Sequence, residues 1–587
     1  MNSAGHDLAG HTTLSFSIGP IQTFIEASRS LRDLTTASAL LSYLVRSAMA
    51  PVERAAGAKA FVFPAEAAVA KDDPRGTPDT FFAILPPDVD AVKVGRECVD
   101  SARNAWREIA ADVRQLLHAK ISSDYPGWDR LWEAQIDSYF DFRIATCPVP
   151  SNDDSLLESL LGDGVKRLTD WQCLFELSGR VMQARRAANL PTDYTPAPDE
   201  SGHFPSKCSL LGTLEQMGPA DFQRAVDFWN DAREHWTQAG ARLRKNERLC
   251  AVSLVKRFAI ATKFKDQVGL HRTDPNRGDT ATIAAARWLE DAHITPSHYR
   301  DWSGQWLHWT KRKPDRNDDD EAIPEDLFDA IRSKRKETPV PAYYAILAMD
   351  GDRMGAAIRG AKTRVAHSEI SSKLLEYAVT DAPKIVEQDH KGVLVYAGGD
   401  DVLALLPIED ALKCARALCT TYRARMLGDF TASAGIAVVH YKEDLRFALT
   451  EARKAEMAAK SAGRNCVTLR ICRRSGEHSG VTLTWDLVDV VAGWVEGFKS
   501  TSDRWVYHLR AESETIKALP ASAQVSELKR QIRRAEKPVA EVFDETRLAS
   551  VLDGFRKLIG ESSYEAQFPA FIAALQAASF LARGRDR

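Results

Sequence analysis

Between Val393 and Pro407 the chain reads Val-Leu-Val-Tyr-Ala, Gly-Gly-Asp-Asp, Val-Leu-Ala-Leu-Leu-Pro. Two apolar segments of strand length, separated by four residues of which two are glycine, are constrained to fold back on each other as a hairpin. Its tip then carries two adjacent carboxylates, Asp400 and Asp401. A buried-type strand, Tyr343 to Met349, ends in Asp350-Gly351-Asp352-Arg353-Met354-Gly355 and leads through a helical stretch into the hairpin. A helix over 411–426, a strand over 432–439 and a long helix over 445–462 follow. The order β-α-β-β-α-β predicts a ferredoxin-like sheet. In such a sheet Asp350 and the hairpin tip are neighbours despite fifty intervening positions.

Clustered carboxylates beside glycines suit two divalent cations. A pair of hard ions such as Mg²⁺ or Mn²⁺ can activate a ribose hydroxyl and stabilise the charge on a transferring phosphoryl group. Asp350, Asp400 and Asp401 are the candidate catalytic residues, with the Gly351 carbonyl as a further metal ligand. Gly398 and Gly399 admit close approach of a nucleotide phosphate. Asp352 is a further candidate at the nucleotide. Lys460 and Arg464 lie four apart, predicted on one face of the helix that follows the strand over 432–439, where they can grip a triphosphate.

The beginning of the chain repeats this pattern faintly. Thr13 to Ile18 alternates like a half-buried strand, Gly19-Pro20 turns it, and Ile21 to Val45 has helical apolar spacing. Ser17-Ile18-Gly19-Pro20 aligns with Met349-Asp350-Gly351-Asp352, and Phe82 to Pro86 with Leu403 to Pro407. On that alignment Ile18 replaces Asp350 and Thr77-Pro78-Asp79-Thr80 replaces the acidic turn. The expected architecture is α+β, with two ferredoxin-like palm domains, a helical insert and a C-terminal helical bundle. The expected boundaries are a degenerate first palm over 1–165, a mainly helical middle over 166–335, a second palm over 336–475 and helices over 476–587.

At 587 residues the chain calls for several domains. Its 78 basic and 81 acidic residues give no global attraction to nucleic acid, so any such surface is local. The charged stretches 311–337 and 529–537 read first as solvated surface. The polar start, Met1 to Thr13, lacks the apolar core of a signal peptide. No apolar run reaches the roughly 18 residues needed to span a bilayer. Nine cysteines without disulfide-like spacing fit a reducing cytoplasm. Cys208 begins what resembles half of a Cys-x-x-Cys knuckle, but Leu211 fills the second position and Cys250 lies far downstream, so zinc is not expected.

Several segments together resemble the large polymerase-like subunit of type III-B CRISPR effector complexes, the Cmr class. They are Ser15 to Ile25, Leu31-Arg32-Asp33-Leu34 through Ser42-Tyr43-Leu44, Leu249 to Phe258, Met349 to Gly355, Tyr396 to Asp401 and Ser433 to Ala437. They run in the family's order from about residue 13 to 475. The resemblance implies two palms facing each other with ATP between them. It implies an adenylate second messenger, made when guide RNA pairs with target RNA among the other Cmr-class subunits. It gives Asp350 and Asp401 to metal and Asp400 to a ligand or base role, and sets Ser38 at the shared pocket. The family's HD-type DNA nuclease domain has no counterpart here, so DNA cleavage is not expected. Some relatives of that kind join ATP to S-adenosylmethionine, leaving either that conjugate or cyclic oligoadenylate as the product that the resemblance implies. The rival readings are a catalytically silent structural subunit and a diguanylate-cyclase-like enzyme.

Overall fold

The strand β1 (Thr12–Gly19) organises the N-terminal sheet, pairing antiparallel with β3 (Thr80–Leu85) on one side and β4 (Asp141–Pro148) on the other. In this computed structural model the described residues are 8–65, 77–120, 127–149, 159–162, 168–188, 202–236, 243–268, 279–299, 302–313, 322–426, 430–535, 539, 543, 548, 551–552 and 564–584. Met1 to Asp7 and parts of the charged stretches 311–337 and 529–537 lie outside them. By their contacts the residues form two units, 1–273 with 353–379 and 274–352 with 380–587. The helices of 166–335 are therefore divided between two bodies.

In the first unit β2 (Phe61–Phe63) pairs with β3, giving the order β2-β3-β1-β4. Helix α1 (Leu31–Ala56) joins β1 to β2, and α2 (Ala91–His118) lies between β3 and β4. This is the ferredoxin-like arrangement. The Ser30 hydroxyl caps α1 by accepting from the Asp33 N–H at 3.1 Å. Leu14, Phe16 and Ile18 of β1 share one core with Leu40, Leu44 and Val45 of α1. The single helix expected from Ile21 is broken, with Gln22–Glu26 separate from α1. Strand β4 is not singled out by the sequence. Only Phe142 and Ala145 of it are buried, as befits an edge strand, and Asp141, Arg143 and Thr146 hide its alternation. Helices α3 (Asp170–Ala187), α4 (Ala251–Phe258) and α5 (Arg364–Glu376) belong to this unit. His367 of α5 is buried among the rings of Phe82, Trp171 and Phe175.

The second unit is centred on β5 (Tyr343–Gly351), flanked antiparallel by β7 (Val402–Pro407) and β8 (Ala432–His440). Tyr343 to Met349 are at most 1% exposed, which is why this strand is an unbroken apolar run. Strand β6 (Val393–Ala397) pairs with β7, and α6 (Ile408–Arg425) joins β7 to β8. The four strands repeat the order seen in the first unit. Helix α7 (Leu445–Ser461) then crosses to β9 (Cys466–Cys472), parallel to β8, and β10 (His478–Thr484) pairs with β9. The chain is thus not helical from Ser475 onward, as expected from sequence. Seven residues first add an edge strand, with the hydroxyls of Thr468 and Thr482 hydrogen-bonded at 2.9 Å. Helices α8 (Trp485–Ser500) and α9 (Tyr564–Arg583) pack together. Ser579 of α9 donates to Asp503 at 2.6 Å, and Arg583 pairs with the same carboxylate at 3.3 Å. Among the described residues no helix is long and apolar enough to cross a membrane.

Register qualifies the internal repeat. Met349 faces Val402 in the second sheet, and Ser17 faces Thr80 in the first. Thr80 rather than Phe81 is therefore the counterpart of Val402, one residue from the alignment expected above. With that shift Ile18 stands for Asp350 and Pro78 for Asp400, but Asp79 stands for Asp401, and the Ile18 N–H donates to the Asp79 carbonyl at 3.3 Å. The first copy retains one acid of the three.

Candidate active site

The antiparallel register that pairs Met349 with Val402 sets Asp350 opposite Asp401 and Gly351 opposite Asp400, one and two steps beyond the last pair. Pairing with β8 continues to Asp350–Ser433 and Gly351–Ala432, so the backbone of Asp350 is held from the other side. A side chain on Gly351 would overlap the Tyr422 hydroxyl and stand 2.7 Å from the Asp400 Cβ. Glycine at this point is what lets the hairpin tip close on β5. In the turn, the Gly398 N–H donates to the Asp401 carbonyl at 2.9 Å and Gly399 takes φ +91°. A Cβ on Gly398 would overlap the Tyr396 hydroxyl.

Burial raises the carboxyl of Asp400 to about 7, reinforced by the charges of Asp350 and Asp401. Asp401 is raised to about 6, again chiefly by burial, with Arg453 opposing and Glu456 adding to it. Asp350 is raised by burial and partly brought back by Lys460. Three carboxylates held this close and this dry lack positive charge. Two cations of α7 supply some of it. Lys460 Nζ lies 2.7 Å from Asp350 Oδ2, and Arg453 Nη1 lies 3.5 Å from Asp401 Oδ1. Both also bind Glu456, Lys460 at 2.7 Å and Arg453 at 2.8 Å. Asp401 Oδ1 is buried without a hydrogen bond. Among the described residues no three Asp, Glu, His or Cys side chains converge tightly enough to hold a metal as they stand. Donor type, charge and a buried Asp401 oxygen that has a long ion pair but no hydrogen bond fit divalent cations.

Asp352 takes a different part from the one expected of it at a nucleotide. Its carboxylate accepts from the Thr431 hydroxyl at 2.8 Å, the Ser433 hydroxyl at 2.7 Å and the Asn465 N–H at 2.9 Å. It ties the end of β5 to the start of β8 and to the turn after α7. Arg464 is also displaced from its expected place on a helix face shared with Lys460. Helix α7 stops at Ser461, Gly463 takes φ +108°, and the Arg464 N–H returns to the Ala459 carbonyl at 3.2 Å. This is a Schellman stop, and it leaves Arg464 exposed at φ +68°. Ser38 is buried in α1 of the first unit.

Arg453 and Glu456 escaped the sequence reading. Their spacing of three and four from each other and Lys460 puts all three on one helical face, a pattern that solvated helices also show.

The knuckle-like cysteines need one correction. Cys250 does have a neighbour, for Ser253 Oγ lies 3.5 Å from Cys208 Sγ and 3.3 Å from Cys250 Sγ. The two Cys-x-x-x frames come together, with Leu211 and Ser253 at their second positions. Beneath them, fully buried Lys256 is lowered to about 8 by burial and donates to the Phe24 carbonyl at 2.8 Å.

A β-α-β-β-α-β sheet with paired acids at the end of its first strand and on the following hairpin defines a palm-domain protein. The family described as Cas10/Cmr2, second palm domain, matches residues 343–468, and the Cmr2 N-terminal family matches 13–111. The chain thus carries a segment similar to the second palm of Cas10/Cmr2 and another similar to the Cmr2 N-terminal region. The Cmr2 subunit of the CRISPR Cmr system of Pyrococcus furiosus is 29% identical over an alignment covering 35% of this chain and 28% of that protein's length. In fold, the chain is similar to a chain of the type III-B Cmr-beta complex in its apo state, with a TM-score of 0.62 at 15% identity over 91% of this chain and 78% of that one. For the Cmr-beta complex bound to cognate target RNA the values are 0.59, 13%, 91% and 80%.

Proposed function

We propose that this chain is the polymerase-like subunit of a type III-B RNA-guided complex and that its second palm is a nucleotidyltransferase switched on by target RNA. Its product is an adenylate second messenger, either cyclic oligoadenylate or an ATP–S-adenosylmethionine conjugate. The observation that carries the reading is the register that sets Asp350 and Gly351 against Asp401 and Asp400 at the end of a buried sheet. The matches of residues 343–468 and 13–111 to the Cas10/Cmr2 and Cmr2 families and the likeness in fold to a subunit of a complex bound to target RNA support the wider setting.

Asp350, Asp401 and the Gly351 carbonyl would hold Mg²⁺ or Mn²⁺, with Asp400 beside them. The ions, when bound, neutralise charge on the triphosphate and acidify the attacking hydroxyl. The rest falls to the chain. In the transfer, a ribose hydroxyl oxygen of one nucleotide bonds to the α-phosphorus of the next, and the bond to the β-phosphate oxygen breaks to release pyrophosphate. Asp400, raised to about 7, is matched to receive the hydroxyl proton near neutral pH. Lys460 has ammonium donors to offer the phosphate oxygens. Glycines at 398 and 399 keep side chains out of the nucleotide's path. A structural subunit would have no use for three crowded carboxylates of which one, Asp400, is raised by burial and further by the charges of the other two.

The test uses the chain assembled with partner subunits and guide RNA, supplied with ATP and Mg²⁺ or Mn²⁺, with and without S-adenosylmethionine and target RNA. Mass spectrometry identifies the product. A target-dependent adenylate is expected, falling by at least about a hundredfold in Asp400→Ala/Asp401→Ala. An assembled complex that binds target RNA yet forms no nucleotide product would make this a structural subunit.

A further inference from the structure

Glu456 is where the two cations of the site meet. Its Oε1 accepts from Lys460 Nζ at 2.7 Å and its Oε2 from Arg453 Nη1 at 2.8 Å. The same Lys460 nitrogen reaches Asp350 at 2.7 Å, and the same Arg453 nitrogen reaches Asp401 at 3.5 Å. Each cation therefore has two carboxylates, one in the acid cluster and one on its own helix. Glu456 is 6% exposed. Burial alone would raise its carboxyl, but the hydrogen bonds and charges of Lys460 and Arg453 outweigh burial and hold it below its usual range. Its backbone is fixed too. A Cβ on Gly435 of β8 would overlap the Glu456 nitrogen and the Ala452 carbonyl, so α7 lies directly on the sheet at this residue.

We propose that Glu456 is a positioning residue which takes Lys460 and Arg453 from Asp350 and Asp401 as divalent cations bind, and so decides how readily the acids accept metal. The inference rests on the reading of those acids as a divalent-cation site. An ammonium 2.7 Å from Asp350 competes with any cation for the same oxygen, and a divalent ion enters only as the lysine yields. Glu456 is already hydrogen-bonded to that lysine, so yielding costs a small side-chain adjustment and leaves no buried charge unpaired. The lysine then remains above the acids, anchored by Glu456, with its other donors free for phosphate. With glutamine in place of Glu456, Lys460 and Arg453 retain Asp350 and Asp401 as their ionic partners and resist displacement.

The test is Mn²⁺ binding to the full chain without nucleotide, followed by electron paramagnetic resonance, with thermal unfolding of each variant alongside. Glu456→Gln is expected to weaken Mn²⁺ binding roughly tenfold, as loss of an outer-shell partner does. Lys460→Met removes the competitor and should bind at least as tightly as the wild type. Glu456→Gln/Lys460→Met should recover most of the affinity lost in Glu456→Gln, a rescue that general damage to the fold would not give. Wild-type affinity in Glu456→Gln, or no recovery in the double variant, would overturn the proposal. Asp350→Asn/Asp401→Asn separates the two readings. If it abolishes binding while Glu456→Gln changes nothing, only the role of Glu456 falls. If it binds as the wild type does, or if the wild type binds no Mn²⁺, the divalent-site reading fails and the role of Glu456 with it.

Discussion

Asp400 lies 2.7 Å from where a Gly351 side chain would begin, so the acid and the glycine form one feature. The crowding has a measurable cost. Asp400 titrates at about 7 in the folded chain, and an unfolded aspartate near 3.9. As pH rises from about 4 the unfolded chain gives up this proton first, so folding becomes less favourable until pH passes about 7 and the loss levels off. In divalent-free buffer, denaturant unfolding across that window should show wild-type stability falling relative to Asp400→Asn, by at most about 1.4 kcal/mol per pH unit. A difference that does not vary with pH would mean that Asp400 is not crowded as described. The acids were legible in sequence because a strand end and a four-residue turn leave little choice of position. Arg453 and Glu456 were not, since an ion-paired helix face has the same spacing whether it borders a site or water. Arg464 was misplaced because Gly463 ends the helix one residue before it.

Helix α7 owes its closeness to the sheet to Gly435, and its charged face is set by that contact. Gly435→Ala would drive a methyl into the backbone at Glu456 and Ala452. Overpacking of this kind costs about 1–3 kcal/mol, and here the strain falls on the residue that holds both site cations. Urea unfolding should show that loss together with weaker Mn²⁺ binding. A stability loss with unchanged Mn²⁺ affinity would mean that the charged face of α7 adjusts independently of its seat on β8. At this scale the sequence spoke clearly for buried strands and less so for edges. Tyr343 to Met349 are apolar because helices and strands cover them on every side. By contrast β2 has three residues, β4 buries only Phe142 and Ala145 among polar neighbours, and β10 is threonine- and glycine-containing with one flank open. Each is fixed by a partner strand rather than by its own composition.

The chain contains one strand order twice, and the two copies have been put to different use. In the first, Ile18 occupies the place of Asp350, is 4% exposed and belongs to the apolar core of its sheet. Asp79 persists opposite it without a carboxylate partner in β1. Restoring the missing acid should therefore not restore a site. Ile18→Asp is expected to destabilise the fold by at least about 2 kcal/mol, through burial of an unpaired acid, and to add no Mn²⁺ site in binding titrations. Wild-type stability with an additional bound Mn²⁺ would show that the first copy is closer to its ancestor than its core suggests. The duplication was visible in sequence as a likeness of strand ends, but its register was not, because a one-residue offset between apolar strands changes no residue type.

The hairpin in the second copy spends four residues between strands, and the matching connection in the first spans positions 64–79. Connections between strands are where insertions and deletions ordinarily accumulate. Only one of the two is free to accept them. Adding or removing a residue between Ala397 and Val402 would shift Asp401 relative to Asp350 and turn it toward the other face, since side chains alternate along a strand. Loop length at this point is thus as tightly constrained by geometry as the aspartates themselves, and a chain whose hairpin has grown can be expected to lose the chemistry even where its acids survive.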